Sequence, residues 1–476
     1  MLNKFLEKIL FLLISFLFIF IPLYPKFPLV NVAGTFVAVR VEDIFIALTV
    51  GIWGFYLIKS GQLKSFLADK LNQAFMLFFF IGALSLFSAN FLTHSVVSHI
   101  SFLHWMRRME FMMLLPVVAT VVKTRKQLIV SLITLMLVVV LVNIYALGQQ
   151  YLNWPVISTT NSEFSKGLIL SLTPGARVNS TFAGHYDLGV FLAMVLVIIS
   201  ALFFGVRKTL KVILIFLGVV SLLVLIMTSA RLSFVAAFIG IILSLIFSKK
   251  NKYILLILII CVGILIYPSN LRDRLISTVT INIFGQGERY QGETDDQKIR
   301  SRLNIPTLAI KTSSDSAETS TIGSPSAQTA SDITPGEPID TTELGVYRSF
   351  SIRLNLEWPR ALTAFYKNPF LGTGYSSLGI ATDNDILRSL GEVGLLGTTA
   401  FGLVLFESFK RVREQIKNQD KFLKYFSAGV SAMVIAFLIN SLFIDVFEAS
   451  KVATLFWMML GLSLAMSKNE EFKKIL

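Results

Sequence analysis

Polar residues set among apolar ones mark where this chain could do chemistry. The stretch "TDNDILRSLGEVGLLG" starts at Thr382 and places Asp383, Asn384 and Asp385 at the mouth of a long apolar run. Glu392 follows about two helical turns further in. A carboxylate at such a mouth can take a proton from an attacking hydroxyl. It can equally cap the helix that follows, because Asp and Asn side chains accept from the first free backbone amides. Three other segments supply arginines. Arg231 stands in "MTSARLSFVAAF", Arg177 precedes His185 and Asp187 in "GARVNSTFAGHYDLGVFLA", and Arg353 shares "SIRLNLEWPRALTAFYKNP" with Trp358 and Arg360. A planar guanidinium matches the oxygens of a phosphate, so arginines from separate segments could converge on one anionic ligand. Singly, Arg231 reads as a snorkelling interface anchor, Arg177 as part of a polar loop capping a helix, and Arg353 and Arg360 as a solvated helix face.

The remaining polar groups carry weaker signals. Arg107, Arg108 and Glu110 in "HWMRRMEF" lie inside an apolar run, where a charge costs about 2.5–3.5 kcal/mol on insertion scales. An internal ion pair explains them, with a ligand-binding role for Arg107 as the alternative. Glu42 and Asp43 in "VRVEDIF" suit the positive end of a helix dipole or a catalytic acid pair. His94, His99 and His104 recur every fifth position, which at about 100° per residue sends them to three faces of a helix. No metal site is expected from them. The D-x-D look of residues 383–385 fits enzymes that use nucleotide sugars, but no Gly-rich phosphate loop or βαβ pattern accompanies it. The nucleotide reading is therefore rejected. The single cysteine, Cys261, rules out a disulfide framework within the chain and a cysteine metal cluster.

The elements that must position these groups are membrane helices. Of 476 residues 54% are hydrophobic and 15% charged, against about a quarter charged in soluble domains, and the mean hydropathy is +0.71. Spanning the hydrocarbon takes about 20 apolar residues. Twelve runs qualify, near 5–22, 43–58, 71–89, 97–122, 127–149, 186–205, 210–228, 231–248, 253–268, 386–408, 422–443 and 448–467. The first is read as a retained helix rather than a cleaved signal, since no small-residue cleavage site precedes "PLYPKFPLV". A net charge of +14 would suggest nucleic acid in a soluble protein, but here the positions of the charges matter more. Alternate connections such as "KSGQLKSFLADK", "KTRKQ" and "FKRVREQIKNQDK" are basic, whereas "SANFLTHS" and "IDVFEAS" lack Lys and Arg. The positive-inside rule then puts both termini in the cytoplasm.

This divides the chain into residues 1–268, with nine spans and an outer loop at about 150–185, then a large outer loop at 269–385, then 386–476 with three spans and a cytoplasmic tail. The middle of the large loop, at about 311–345, is rich in Ser, Thr, Pro and acids, a composition expected to be disordered. After it, "RLNLEWPRALTAFYKNP" predicts a helix, with Pro369 beyond its end and "GTG" turning the chain. Gly391, Gly394 and Gly397 are expected to let helices approach closely.

Taken together, residues 177–401 resemble the O-antigen ligase and polymerase superfamily of bacterial envelope proteins. The resemblance rests on "TSARLS", on "RVNSTFAGHYDLGVFLA", and above all on "SIRLNLEWPRALTAFYKNPFLGTGYSSLGIATDNDILRSLGEVGLLG". It implies an all-α polytopic protein of about twelve spans with the GT-C glycosyltransferase architecture. It also implies transfer from an undecaprenyl-diphosphate-linked saccharide to a glycan or lipid acceptor at the outer face of the cytoplasmic membrane, without metal or other cofactor. On that reading Arg231 and Arg177 bind the diphosphate, with Arg353 a further candidate, and Glu392 orients partners across helices. Arg360, Asn384, Asp385, His185 and Arg107 are the other candidates for substrate contact. Ligases of the family place a His where this chain has Asp383. The departure favours a polymerase-like reaction over a lipid A-core ligase, with Asp383 as the base. Two other classes compete: a flippase-like transporter, against which stands the absence of a visible repeat, and a non-catalytic envelope assembly protein.

Overall fold

The computed structural model describes residues 2–35, 38–157, 169–172, 176–280, 329–330, 346, 349–379 and 381–465. Fifteen helices are followed here: α1 (Leu2–Leu23), α2 (Val41–Lys59), α3 (Leu63–Ala68), α4 (Lys70–Phe91), α5 (Ser98–Val121), α6 (Arg125–Tyr151), α7 (His185–Leu202), α8 (Lys208–Met227), α9 (Arg231–Phe247), α10 (Ile254–Ile266), α11 (Asn270–Thr280), α12 (Trp358–Lys367), α13 (Asp385–Glu414), α14 (Lys421–Ser441) and α15 (Ser450–Ala465). A single π-helical turn, Arg353–Glu357, leads into α12. Strands are few and short. β1 (Pro28–Val30) pairs antiparallel with β2 (Val39–Arg40), while β3 (Val156–Ile157), β4 (Ile169–Leu172) and β5 (Thr329–Ala330) form a small sheet. The stretch 311–345 otherwise lies outside the described residues.

Each of the twelve apolar runs contains a helix. Eight helices (α1, α2, α4, α6, α7, α8, α13, α14) are long and apolar enough to cross a membrane. A ninth is formed if α10 and α11, bent by 92°, count as one span. The shorter α9 and α15 are apolar, and α5 carries Arg107, Arg108 and Glu110. The helix starts follow local chemistry. Asp69 accepts from the Leu71 amide at 2.9 Å, Asp420 from Leu423 at 3.0 Å, and Thr124 and Gln127 form a reciprocal capping box.

Burial grades from centre to rim. Every residue of α15 is buried, as is most of α7, whereas α10 buries none. α15 runs along α5, α14 packs on α7 and α9, and α13 lies against α4. Small residues set these close approaches, because helices in lipid associate by packing rather than by a hydrophobic drive. A Cβ on Gly240 would come within 2.5 Å of Val197, and one on Gly461 within 2.8 Å of the Leu115 carbonyl. Ion pairs mark one end of the bundle: Glu7–Lys123 at 2.8 Å, Asp69–Arg411 at 2.8 Å and Arg125–Asp420 at 3.3 Å. The candidate site residues all lie at the opposite end.

Helix α13 is not continuous. Gly394 has φ 66° and ψ −169°, which breaks the helix inside the apolar run. Its role therefore differs from simple helix packing. The segment "NPFLGTG" (368–374) lies against the break and satisfies the backbone groups that the break exposes. The Thr373 and Gly374 amides donate to the Gly391 and Glu392 carbonyls at 2.9 and 2.8 Å. In return the Leu395 and Leu396 amides donate to the Pro369 and Phe370 carbonyls at 2.8 and 3.2 Å. Non-helical backbone at membrane depth needs such internal partners. Side chains of α4 close the joint, with Ser85 Oγ donating to the Glu392 carbonyl at 2.9 Å and Asn368 Nδ2 to Ser88 Oγ at 3.0 Å.

Candidate functional site

The broken helix holds its acidic mouth in a dense polar network. Asp383 has φ 50°, and its carboxylate meets Arg353 at 2.7 Å. Capping falls to Asn384 instead, whose Oδ1 accepts from the Leu387 amide at 2.9 Å. Asp385 is buried and accepts from the Phe447 amide at 3.2 Å. Behind them Arg388 is buried to 3% exposure and paired with Asp445 at 2.7 Å and Glu392 at 3.4 Å. Its other donor reaches the Gly379 carbonyl at 2.9 Å. Asp445 also accepts from the amides of Thr382 and Asn384, at 2.7 and 3.2 Å. One carboxylate thus fixes the backbone on both sides of Asp383. Glu392 accepts from the Ser376 amide at 3.2 Å, tying the helix to the loop before it.

Arg108 pairs with Glu448 rather than with Glu110, so the internal pair expected within "HWMRRMEF" does not form. Glu448 also lies 3.9 Å from Arg388, so two guanidinium groups share this carboxylate. Burial raises the Asp383 carboxyl, and Asp445 adds to the rise, against the pull of Arg353. Glu357, on the π-helical turn, is pushed up to about 7 by burial and by Asp383, with Arg353 opposing.

The basic side of the site is built by α7, α9 and α11. Arg177 contacts His185 at 2.9 Å at the start of α7. Arg231 opens α9 after a turn in which Ser229 has φ 52°, and it bonds Thr278 and the Arg274 carbonyl of α11. Its guanidinium feels the charges of Arg274 and Arg353, and His185 feels those of Arg177 and Arg274. Arg177 and Arg231 thus stand at the starts of two helices that pack together, α7 and α9, with Arg231 anchored to α11. Arg360 is exposed and donates to the Ala381 carbonyl, so it braces the loop before Asp383. Arg107 points away from this group and stacks on Phe111 at 5.4 Å. Glu42 and Asp43 stand apart at the start of α2, where Asp43 accepts from the Arg40 amide at 2.9 Å. Nearby, Lys26 lies 3.8 Å from Asp187, and burial lowers its pKa to about 8. His94 lies outside any helix, and among the described residues no three His, Cys, Asp or Glu side chains form a metal-ligand group.

Several members of the site were not singled out from sequence. Asp445 and Glu448 belong to "IDVFEAS", which read only as a connection without basic residues. Two acids three apart in a short loop between apolar runs were the available signal, since buried Arg108 and Arg388 require counter-charges. Arg274 and Thr278 were hidden because α11 fell inside the presumed loop. Only the bend after Ile266 turns it back onto Arg231.

The fold and the site define an all-α, polytopic integral membrane protein with a polar, arginine-rich site at one end of its helix bundle. Residues 216–402 match the family model described as O-antigen ligase. That stretch contains Arg231, Arg274, Arg353, Asp383 and Glu392, and its match supports an assignment to the O-antigen ligase and polymerase superfamily. No curated protein matches the chain.

Proposed function

We propose that this protein is a metal-independent glycosyltransferase of the GT-C type that joins undecaprenyl-diphosphate-linked saccharides at the outer face of the bacterial cytoplasmic membrane. On this reading all twelve apolar helices cross the membrane, both termini are cytoplasmic, and the site end of the bundle faces outward. The observation that carries the proposal is the placement of Arg177 and Arg231 at the starts of the packed helices α7 and α9, together with the Arg353–Asp383 pair at the mouth of α13. The acceptor hydroxyl oxygen attacks the anomeric carbon of the donor sugar as the bond from that carbon to the diphosphate oxygen breaks. Asp383 takes the hydroxyl proton, and the arginines stabilise the charge gathering on the diphosphate.

A polymerase-like reaction is favoured over transfer to lipid A-core, because Asp383 stands where ligases of the family have a His. Incubating the purified protein with one lipid-linked repeat unit and no other acceptor tests both points. Chain growth supports the polymerase reading. Transfer only after another acceptor is added makes it a ligase, and movement of the lipid-linked saccharide across vesicles without bond formation overturns the transferase reading.

A further inference from the structure

Helix α5 has a second polar face, directed away from Asp383. Between α2 and α5 lies a cavity of about 600 Å³ whose walls are mainly apolar, lined also by Val32, Thr35, Ala38 and Val39 of the segment that carries β1 and β2. Asp43, His104, Arg107 and Glu110 are its polar lining. Glu110 Oε1 and Asp43 Oδ1 are buried with no hydrogen-bond partner. Among the described residues no carboxylate lies within 4.0 Å of Arg107. Buried polar atoms left without partners are costly in lipid surroundings, and these two carboxylate oxygens, in one cavity with part-buried Arg107, leave room for a polar ligand group.

The cavity does not stop at its polar end. Gly51 of α2, exposed on the surface, lines it and also lines a second groove of about 350 Å³ between α1 and α2, bounded by Leu6, Ile9 and Phe55. No atom lies within 4 Å of where a Gly51 Cβ would be. An apolar track therefore leads from the charged cavity across α2 at its glycine. Ile44, Leu48 and Met106, beside this track, are exposed on the surface that meets lipid.

We infer that the α2–α5 cavity and the groove beyond Gly51 form a binding site for a second lipid-linked saccharide, its hydrocarbon chain along the track and its phosphate and sugar hydroxyls at Arg107, Asp43 and Glu110. The charges fit this ligand: a guanidinium suits a phosphate, and carboxylates accept from sugar hydroxyls. The site is separated from the Arg108–Glu448–Arg388 network by the thickness of one helix, about 10 Å. His104 feels the charges on both sides. A saccharide anchored here would reach over α5 toward Asp383 while the arginine cluster holds the other substrate. The inference rests on the proposed transferase reading and identifies where its acceptor binds.

The test is photo-crosslinking of the full-length protein in nanodiscs, with two probes carrying a diazirine in the hydrocarbon chain: a polyprenyl-diphosphate disaccharide and phosphatidylethanolamine. The saccharide probe is expected to label α2 and α5 around Ile44 and Met106. Gly51→Phe, which fills open space and leaves the fold intact, and Arg107→Ala should each cut that labelling at least tenfold. Labelling near Arg231 should be unchanged. Equal labelling by phosphatidylethanolamine, or labelling insensitive to Gly51→Phe, would overturn the inference by making the cavity an ordinary lipid contact. Because labelling needs no turnover, a failure of the transferase reading would appear separately, as normal labelling without product.

Discussion

Replacing Gly394 by alanine tests whether the break in α13 builds the site. A Cβ at this position would lie 2.4 Å from the carbonyl carbon and oxygen of Phe370 and 2.6 Å from the Gly372 nitrogen. Those neighbours are backbone and cannot swing aside. The conformation, φ 66° with ψ −169°, costs a residue with a side chain about 1–3 kcal/mol. Relieving the clash pushes residues 368–374 away and strains the four hydrogen bonds that join them to α13. Each buried backbone group left without a partner costs about 1–3 kcal/mol. Loss of one bond brings the sum to about 2–6 kcal/mol. The control is Gly402→Ala on the same helix, where no atom lies within 4 Å and alanine gains up to about 1 kcal/mol of helix propensity. Thermal unfolding in one detergent, read beside polymer formation, compares them. Gly394→Ala should unfold earlier by on the order of 5 °C and lose most activity, and Gly402→Ala should do neither. Equal midpoints and full activity in Gly394→Ala would refute the reasoning.

Asp445→Ala should cost about 3–5 kcal/mol, because it leaves buried Arg388 without its closest counter-charge; the denaturation midpoint reads this out. Arg231→Ala should insert normally, judged by yield and chromatographic profile in detergent, yet form no polymer. Asp383→Asn should lower turnover by about 10²–10⁴-fold. Since burial raises the Asp383 carboxyl, the acid side of the wild-type pH–rate profile should fall off above the ordinary carboxylate range, and the variant should lack that limb. Glu357 provides a stability test. Its carboxyl, ordinarily at 4.5, is pushed up to about 7, so the folded protein holds this proton more tightly than the unfolded chain. Its contribution is complete below pH 4.5 and lost as pH rises through about 7. After allowance for its partial exposure this amounts to about 1 kcal/mol, and Glu357→Gln should flatten the unfolding midpoint across that window.

The length of the apolar runs located helical segments, and the alternation of basic connections led to the expectation of two distinct ends. Those are local properties: a run of apolar residues must satisfy its own backbone in lipid, and only a helix does so within one segment. The arginines and Asp383 were legible for the same reason, since a charge placed against hydrocarbon stands out in the sequence. Their companions were not. Asp445 becomes the support of Asp383 only because α14 and α15 bring the loop between them beneath the mouth of α13, 62 positions from Asp383. Glu448 meets Arg108 across a still longer separation. Gly394 and Gly397 look alike in "GLLG", yet the first breaks the helix and the second lies within it. That difference comes from residues 368–374, which supply hydrogen-bond partners at one level of the helix and not at the next. Local composition determined which segments are helices and which residues are charged; which charges meet was decided by the packing of helices far apart in the chain.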